Sequence, residues 1–364
     1  MSLPTALAHP ASEDRAAPGS LRPIAAWLLL CCAMIFMMVV IGGITRLTLS
    51  GLSITEWQPV VGILPPLSSA AWAAEFEKYR HTRQYRLVNY GMSLDQFKTI
   101  YLWEYVHRLW GRLIGFAYAV PFFYFALRGR LPRRLLAPLA GILLLGFIEG
   151  ALGWYMVESG LAQRVEVSQY RLVAHLAVAL SIYAITLWIA LGILSRSPRD
   201  AVASGWRRAT EVVLGLVALT IAAGGFVAGL NAGLTYNTFP LMDGSLVPAG
   251  YAQLQPFMRN WFENIAAVQF DHRLLATTTF AMVLLLWVAG WRASLPRRVR
   301  RALHAILAAA ALQFALGVAT LLLVVPIRLA AAHQAGAVLL LTAAIVLRHE
   351  LHRPELDLAR PAAV

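Results

Sequence analysis

Four histidines, His107, His175, His272 and His333, each fall near the start of an apolar run long enough to cross a membrane. An imidazole inside a bilayer is costly, so a functional role is the default reading for such a residue. For any one of them alone, a hydrogen-bonded core histidine is the commoner explanation; four at matching depths argue for more. Two neutral imidazoles on separate helices of one bundle can clamp the iron of a haem, with the macrocycle among apolar side chains and its propionates turned toward basic residues. His107 would then pair with His175, and His272 with His333. Arg108, Arg112, Arg171, Arg273 and Arg328 lie close in sequence to these positions, although arginines at the ends of spans also simply snorkel. The other five histidines, His9, His81, His304, His349 and His352, fall in tails, in a loop or near the opposite end of a span.

One carboxylate adjoins this set. In "YLWEYVHRLWGR" (101–112), Glu104 precedes His107 by three residues, so the two share a helix face. The matching position in "QFDHRLLATTTF" is Gln269, which places a carboxylate beside one histidine pair only. Such a group can shuttle protons or stabilise positive charge developing at a macrocycle edge. An interfacial pairing with Arg108 or Lys98 is the plainer role, and one of little energetic weight. Other metals fit less well. Zinc would find no thiolate ligand set and no His-Glu-x-x-His pattern. A di-iron site needs Glu-x-x-His twice with two further helix glutamates; "EYVH" supplies it once, and Glu149 and Glu158 would have to be recruited.

The elements that must position these groups are membrane helices. Of 364 residues, 59% are hydrophobic and only 13% charged, with a mean hydropathy of +0.64, which excludes an ordinary soluble domain. Apolar runs near 24–44, 109–127, 135–157, 172–194, 210–230, 273–291, 302–325 and 329–347 predict eight spans. The net charge of +13 is concentrated in short connectors such as "RGRLPRR" and "WRASLPRRVRR". That is the positive-inside pattern of a membrane protein, not a nucleic-acid surface. It predicts cytoplasmic termini, with the histidines toward the outer, periplasmic side of a bacterial inner membrane. The leader ahead of residue 24 reads as a cytoplasmic tail with no cleavage pattern. Cys31 and Cys32 are adjacent inside the first span and offer neither a disulfide framework nor a zinc site.

The chain also repeats itself. "IGGITRLTLSGLS" matches "AAGGFVAGLNAGLT", "EYVHRLWGRLIG" matches "QFDHRLLATTTF", and "QYRLVAHLAVAL" matches "PIRLAAAHQAGAVLL". Four spans used twice predict two four-helix bundles related by a pseudo-twofold axis along the membrane normal. The expected organisation is a tail at 1–23, a first half at 24–194, a linker at 195–209, a second half at 210–348 and a tail at 349–364. The loops at 45–98 and 231–268 are too long for plain links and are placed to cap the two sites. Within the first, "WAAEFEKYRHTRQYRLVN" has helical, amphipathic character, suited to the membrane surface or to packing within the loop.

Together "GGITRLTLSGLSITEWQPVVGILPP", "EYVHRLWGR", "NTFPLMDG", "FDHRLLA" and "AAAHQAG" resemble the heme A synthase family, in its proteobacterial and mitochondrial branch. The similarity covers nearly the whole chain after about residue 24. It implies oxidation of the C8 methyl of heme O to a formyl group, giving heme A for aa3-type cytochrome oxidase. It also implies that His107 and His175 bracket the substrate heme O, that Glu104 is the essential carboxylate, and that His272 and His333 hold a resident haem b. Heme O synthase would deliver the substrate. Some relatives carry a cysteine pair in an outer loop; this chain has none there, which favours a separate, ferredoxin-like redox partner on the cytoplasmic side. Homo-oligomerisation is a further expectation. Two other functions fit parts of the pattern. A two-haem electron-transfer cytochrome would use the histidines in the same way, and a transporter of haem or another solute would use the repeat; neither calls for a carboxylate in one half alone.

Overall fold

The computed structural model describes residues 21–56, 63–162, 165–195 and 203–352. The leader, part of the linker, the end of the C-terminal tail and the "WQPVVG" portion of the first long loop lie outside them. In chain order the helices are α1 (Arg22–Leu47), α2 (Ser69–Arg80), α3 (Arg83–Leu87), α4 (Leu94–Leu127), α5 (Arg133–Ala162), α6 (Gln169–Leu194), α7 (Ser204–Gly229), α8 (Asn260–Glu263), α9 (Ile265–Arg292), α10 (Arg297–Leu322) and α11 (Ile327–Glu350). All but α2, α3 and α8 are long and apolar enough to cross a membrane, bearing out eight spans. In hydrocarbon no water can satisfy the backbone, so each span must close its own hydrogen bonds as helix. At 26 residues α1 extends about 39 Å, enough for a hydrocarbon layer of about 30 Å.

Several helices begin earlier than hydropathy suggests, α9 at Ile265 among them. α7 starts at Ser204, and α4 starts at Leu94, more than three turns ahead of the apolar run. Asp95, Lys98, Glu104, His107 and Arg108 mask that part of α4 in a hydropathy reading. Local chemistry marks the true start: Ser93 Oγ accepts from Gln96 N, and the Gln96 side chain accepts from Ser93 N, a reciprocal cap that satisfies two orphan groups.

Helices α1, α4, α5 and α6 touch around one ring, as do α7, α9, α10 and α11 around another; the rings meet through α6 with α7, α1 with α11, and α6 with α11. Exchanging the two halves maps this contact set onto itself, which is compatible with the expected pseudo-twofold arrangement. Glycines allow the closest approaches between the rings. A Cβ on Gly43 would collide with the Gln334 side chain, one on Gly225 would lie 2.9 Å from Val173 Cγ2, and one on Gly229 would lie 2.8 Å from Gln169 Cα. At the histidine end Arg46 donates to Glu166 Oε2 at 2.8 Å and to Asn231 Oδ1 at 3.1 Å, tying the end of α1 to the turn after α7.

The first long loop folds back on α4. Tyr79, Tyr85, Phe97, Ile100 and Tyr101 form a buried cluster, with Trp72 and Phe76 packed against it. The helical segment of this loop therefore packs on its own span. Tyr79 Oη donates to Gln84 Oε1 at 2.9 Å, and Gln84 Nε2 donates to Leu49 O at 3.1 Å, joining the cluster to the end of α1. Burial pushes the Tyr79 phenol up to about 12.

Candidate active site: two histidine pairs

Each histidine sits against a glycine of a neighbouring helix. A Cβ on Gly42 of α1 would lie 3.2 Å from His107 Nε2, and one on Gly224 of α7 would lie 3.0 Å from His272 Cε1. On the other side, a Cβ on Gly153 of α5 would lie 3.2 Å from His175 Cε1, and one on Gly317 of α10 would lie 2.9 Å from His333 Cε1. The two glycine pairs visible in the sequence thus divide their work: Gly42 and Gly224 make room for imidazoles, while Gly43 and Gly225 admit the opposite half. His107 and His175 lie within electrostatic reach of each other, as do His272 and His333.

His272 has an acceptor at Nδ1, while Nδ1 of His175 and of His333 is buried with no hydrogen-bond partner. His272 Nδ1 lies 3.2 Å from Thr220 O, and His333 lies beside the backbone of Gln313. His175 Nδ1 lies 3.0 Å from Glu149 Oε1. An acceptor at Nδ1 fixes the tautomer in which Nε2 carries the free lone pair, the arrangement a metal-binding imidazole needs. Among the described residues no group of three or more His, Cys, Asp or Glu side chains could hold a metal ion, which disfavours the zinc and di-iron schemes. Paired imidazoles, with glycines clearing the space around them, fit the two axial positions of a haem.

Glu104 is 2% exposed, and both of its oxygens accept hydrogen bonds. Oε2 accepts from Ser53 N at 2.7 Å, Ser53 Oγ at 2.7 Å and Ile54 N at 2.8 Å. Oε1 accepts from Arg108 at 2.7 Å. Arg108 continues to Ile54 O at 3.0 Å and Glu56 O at 3.3 Å. Of its two foreseen partners Arg108 is the actual one, since Lys98 pairs with Asp95.

The second half repeats this clamp with its polarity reversed. Gln269 donates to Ala232 O at 2.9 Å and Thr235 O at 2.6 Å, and Arg273 reaches Gln269 Oε1, Tyr236 O and Thr238 O. With Gly42 aligned to Gly224, Ile54 and Glu56 fall on Tyr236 and Thr238, so the two arginines hold equivalent carbonyls. The first turn offers N–H groups and takes a carboxylate; the second offers carbonyls and takes an amide.

A family model described as cytochrome oxidase assembly protein, COX15-CtaA, matches residues 25–345. The chain belongs to the COX15-CtaA family. It is 52% identical over 335 residues to the heme A synthase of Nitrosospira multiformis, covering 91% of this chain and 94% of that protein. It is 48% identical to the heme A synthase of Nitrosomonas eutropha, with 94% and 96% covered, and 50% identical to that of Rhodospirillum centenum, with 95% and 93% covered.

In this COX15-CtaA protein the site includes residues that sequence patterns alone did not bring forward. Gly153 is one of five glycines in α5 and Gly317 the lone one in α10, neither in a Gly pair, and Ser53 acts through its backbone as much as its hydroxyl. The sequence offers Glu149 only as a recruit to a di-iron site. The available signal was the duplication itself: Glu149 and Gln313 stand four residues before Gly153 and Gly317.

Proposed function

We propose that this protein is a heme A synthase, a membrane oxidoreductase that converts the C8 methyl of heme O to a formyl group. Heme O occupies the N-terminal half (24–194) between His107 and His175, and a resident haem b occupies the C-terminal half (210–348) between His272 and His333. The single observation that carries this reading is the twice-repeated pair of glycine-seated imidazoles, with Glu104 and Glu149 in the first half where the second has Gln269 and Gln313. When bound, haem supplies one-electron redox chemistry that passes electrons from the substrate site. The conversion is two successive two-electron oxidations, through the alcohol to the hydrated aldehyde.

The protein's own share is positioning and charge. Glu104 holds the turn at 50–56 and Arg108 over the histidine end, and keeps a buried negative charge one helical turn from His107. That charge favours positive charge developing at the substrate. Four donors, three on Oε2 and one on Oε1, hold Glu104 in place as the essential carboxylate. The termini lie in the cytoplasm, the haem sites toward the periplasm, with heme O arriving from heme O synthase and a ferredoxin-like partner on the cytoplasmic side.

The anchoring of Glu104 is also what an electron-transfer cytochrome would display. Extraction and mass analysis of the haems of the purified protein separates the two. A synthase carries haem b together with O- or A-type haem, and Glu104→Ala shifts the second pigment toward heme O or its hydroxylated form. Haem b alone in both proteins would establish the electron-transfer reading instead.

A further inference from the structure

The residue facing each of three imidazoles lies one helical turn before the glycine under that ring: Thr220 before Gly224, Gln313 before Gly317 and Glu149 before Gly153. Two of the three are backbone contacts to uncharged residues. The third is a carboxylate inside a membrane span, with the Glu149 side chain 18% exposed and that of His175 19% exposed. Glu149 Oε2 is buried with no hydrogen-bond partner, and the 3.0 Å approach of Oε1 to His175 Nδ1 lacks the alignment of a full hydrogen bond. A buried carboxylate is costly unless a strong donor completes it. The group within reach is an imidazole N–H, which is held on Nδ1 once Nε2 serves as a ligand.

We infer that Glu149 is the positioning residue for His175, accepting its Nδ1 proton in a hydrogen bond and so setting the ring's orientation and its strength as an axial ligand in the N-terminal half. The inference rests on the proposal that His107 and His175 bracket a haem. A carboxylate acceptor raises the basicity of a ligating imidazole, which backbone carbonyls and amides do less. A more basic ligand stabilises ferric over ferrous iron, so the first site is held more oxidised at a given potential than it would be with an amide. Gln313 at the corresponding place leaves the second site without this bias. Glu104 and Glu149 then act on different sides of the first site, Glu104 through the turn over His107 and Glu149 directly behind His175.

The test is redox titration and low-temperature electron paramagnetic resonance of the full-length detergent-purified protein, comparing wild type, Glu149→Gln, Gln313→Glu and His175→Ala. Glu149→Gln should keep its haems and shift the first-site midpoint upward, raising the reduced fraction at a fixed potential. The low-spin ferric signal of that site should change with it, while the haem b signal stays. Gln313→Glu should move the second site in the opposite direction, and it carries the test alone if Glu149→Gln loses its haem. Unchanged midpoints and signals in both glutamate–glutamine exchanges, with His175→Ala losing the first-site signal, would overturn the role of Glu149 and leave the haem assignment standing. An unaltered spectrum in His175→Ala would instead overturn the assignment itself, and this inference with it.

Discussion

Glu104 Oε1 lies 2.7 Å from an Arg108 guanidinium nitrogen one turn along the same helix, with the carboxylate sealed from water. An exposed pair of this spacing would contribute little. Here the carboxylate also terminates three donors of the turn after α1, so removing its charge strands buried N–H groups as well as the arginine. Glu104→Gln should destabilise the protein by about 3 kcal/mol, the scale of breaking a buried pair. Its amide hydrogens would face donors instead of acceptors. Gln269→Glu should be comparably harmful, because a carboxylate would then face Ala232 O and Thr235 O. Ser53→Ala, which removes one hydroxyl and leaves the backbone donors, should cost only about 1 kcal/mol. Thermal melting of the three variants in detergent checks the order, and a Gln269→Glu protein as stable as wild type would contradict the reversed-polarity clamp.

The glycines beneath the imidazoles predict site-selective loss. Gly224→Ala brings a methyl to 3.0 Å from His272 Cε1, and Gly42→Ala brings one to 3.2 Å from His107 Nε2. Overpacking of this kind costs about 1–3 kcal/mol, here directed at ring placement. Haem content per mole of protein, resolved by type, should fall for haem b in Gly224→Ala and for O- or A-type haem in Gly42→Ala. Equal loss of both types from each variant would argue against one pigment per half.

Gly229 makes the complementary case. A Cβ there meets the backbone of Gln169 at 2.8 Å, and a backbone atom cannot swing aside as a side chain can. Gly229→Ala should therefore force α6 and α7 apart and lower the melting temperature, while haem per folded molecule stays near the wild-type value. Loss of haem without loss of stability would show that this contact belongs to the site and not to the joint between halves.

Much of this was legible in the sequence because the membrane makes hydropathy a strong signal. Eight spans follow from runs of apolar residues, and the four histidines fall near the starts of the even-numbered ones. The start of α4 was hidden for the same reason: Asp95, Glu104 and Arg108 look like loop residues until the Ser93–Gln96 cap and the aromatic cluster around Tyr79 account for them. Glu104 stood out by its asymmetry with Gln269, yet the pattern could not show that each residue matches the hydrogen-bonding polarity of its own turn. Glu149 was hardest to place, since its partner His175 lies on the next helix and only the packing of α5 on α6 joins them.

The pairing of histidines within each half makes the last prediction. Each ring is held by contacts inside its own four-helix ring: His272 by Thr220 and Gly224, His333 by Gln313 and Gly317. On the proposed assignment, removing either imidazole would take one ligand from one haem and leave the other site's ligands in place. His272→Ala and His333→Ala should each deplete the b-type pigment first, with O- or A-type haem persisting. His107→Ala and His175→Ala should do the reverse. Optical difference spectra of the reduced proteins, calibrated against extracted haem, distinguish these outcomes. If His272→Ala and His333→Ala instead removed different pigments, the ligands would have to be shared across the halves, against the packing of each ring on glycines of its own bundle.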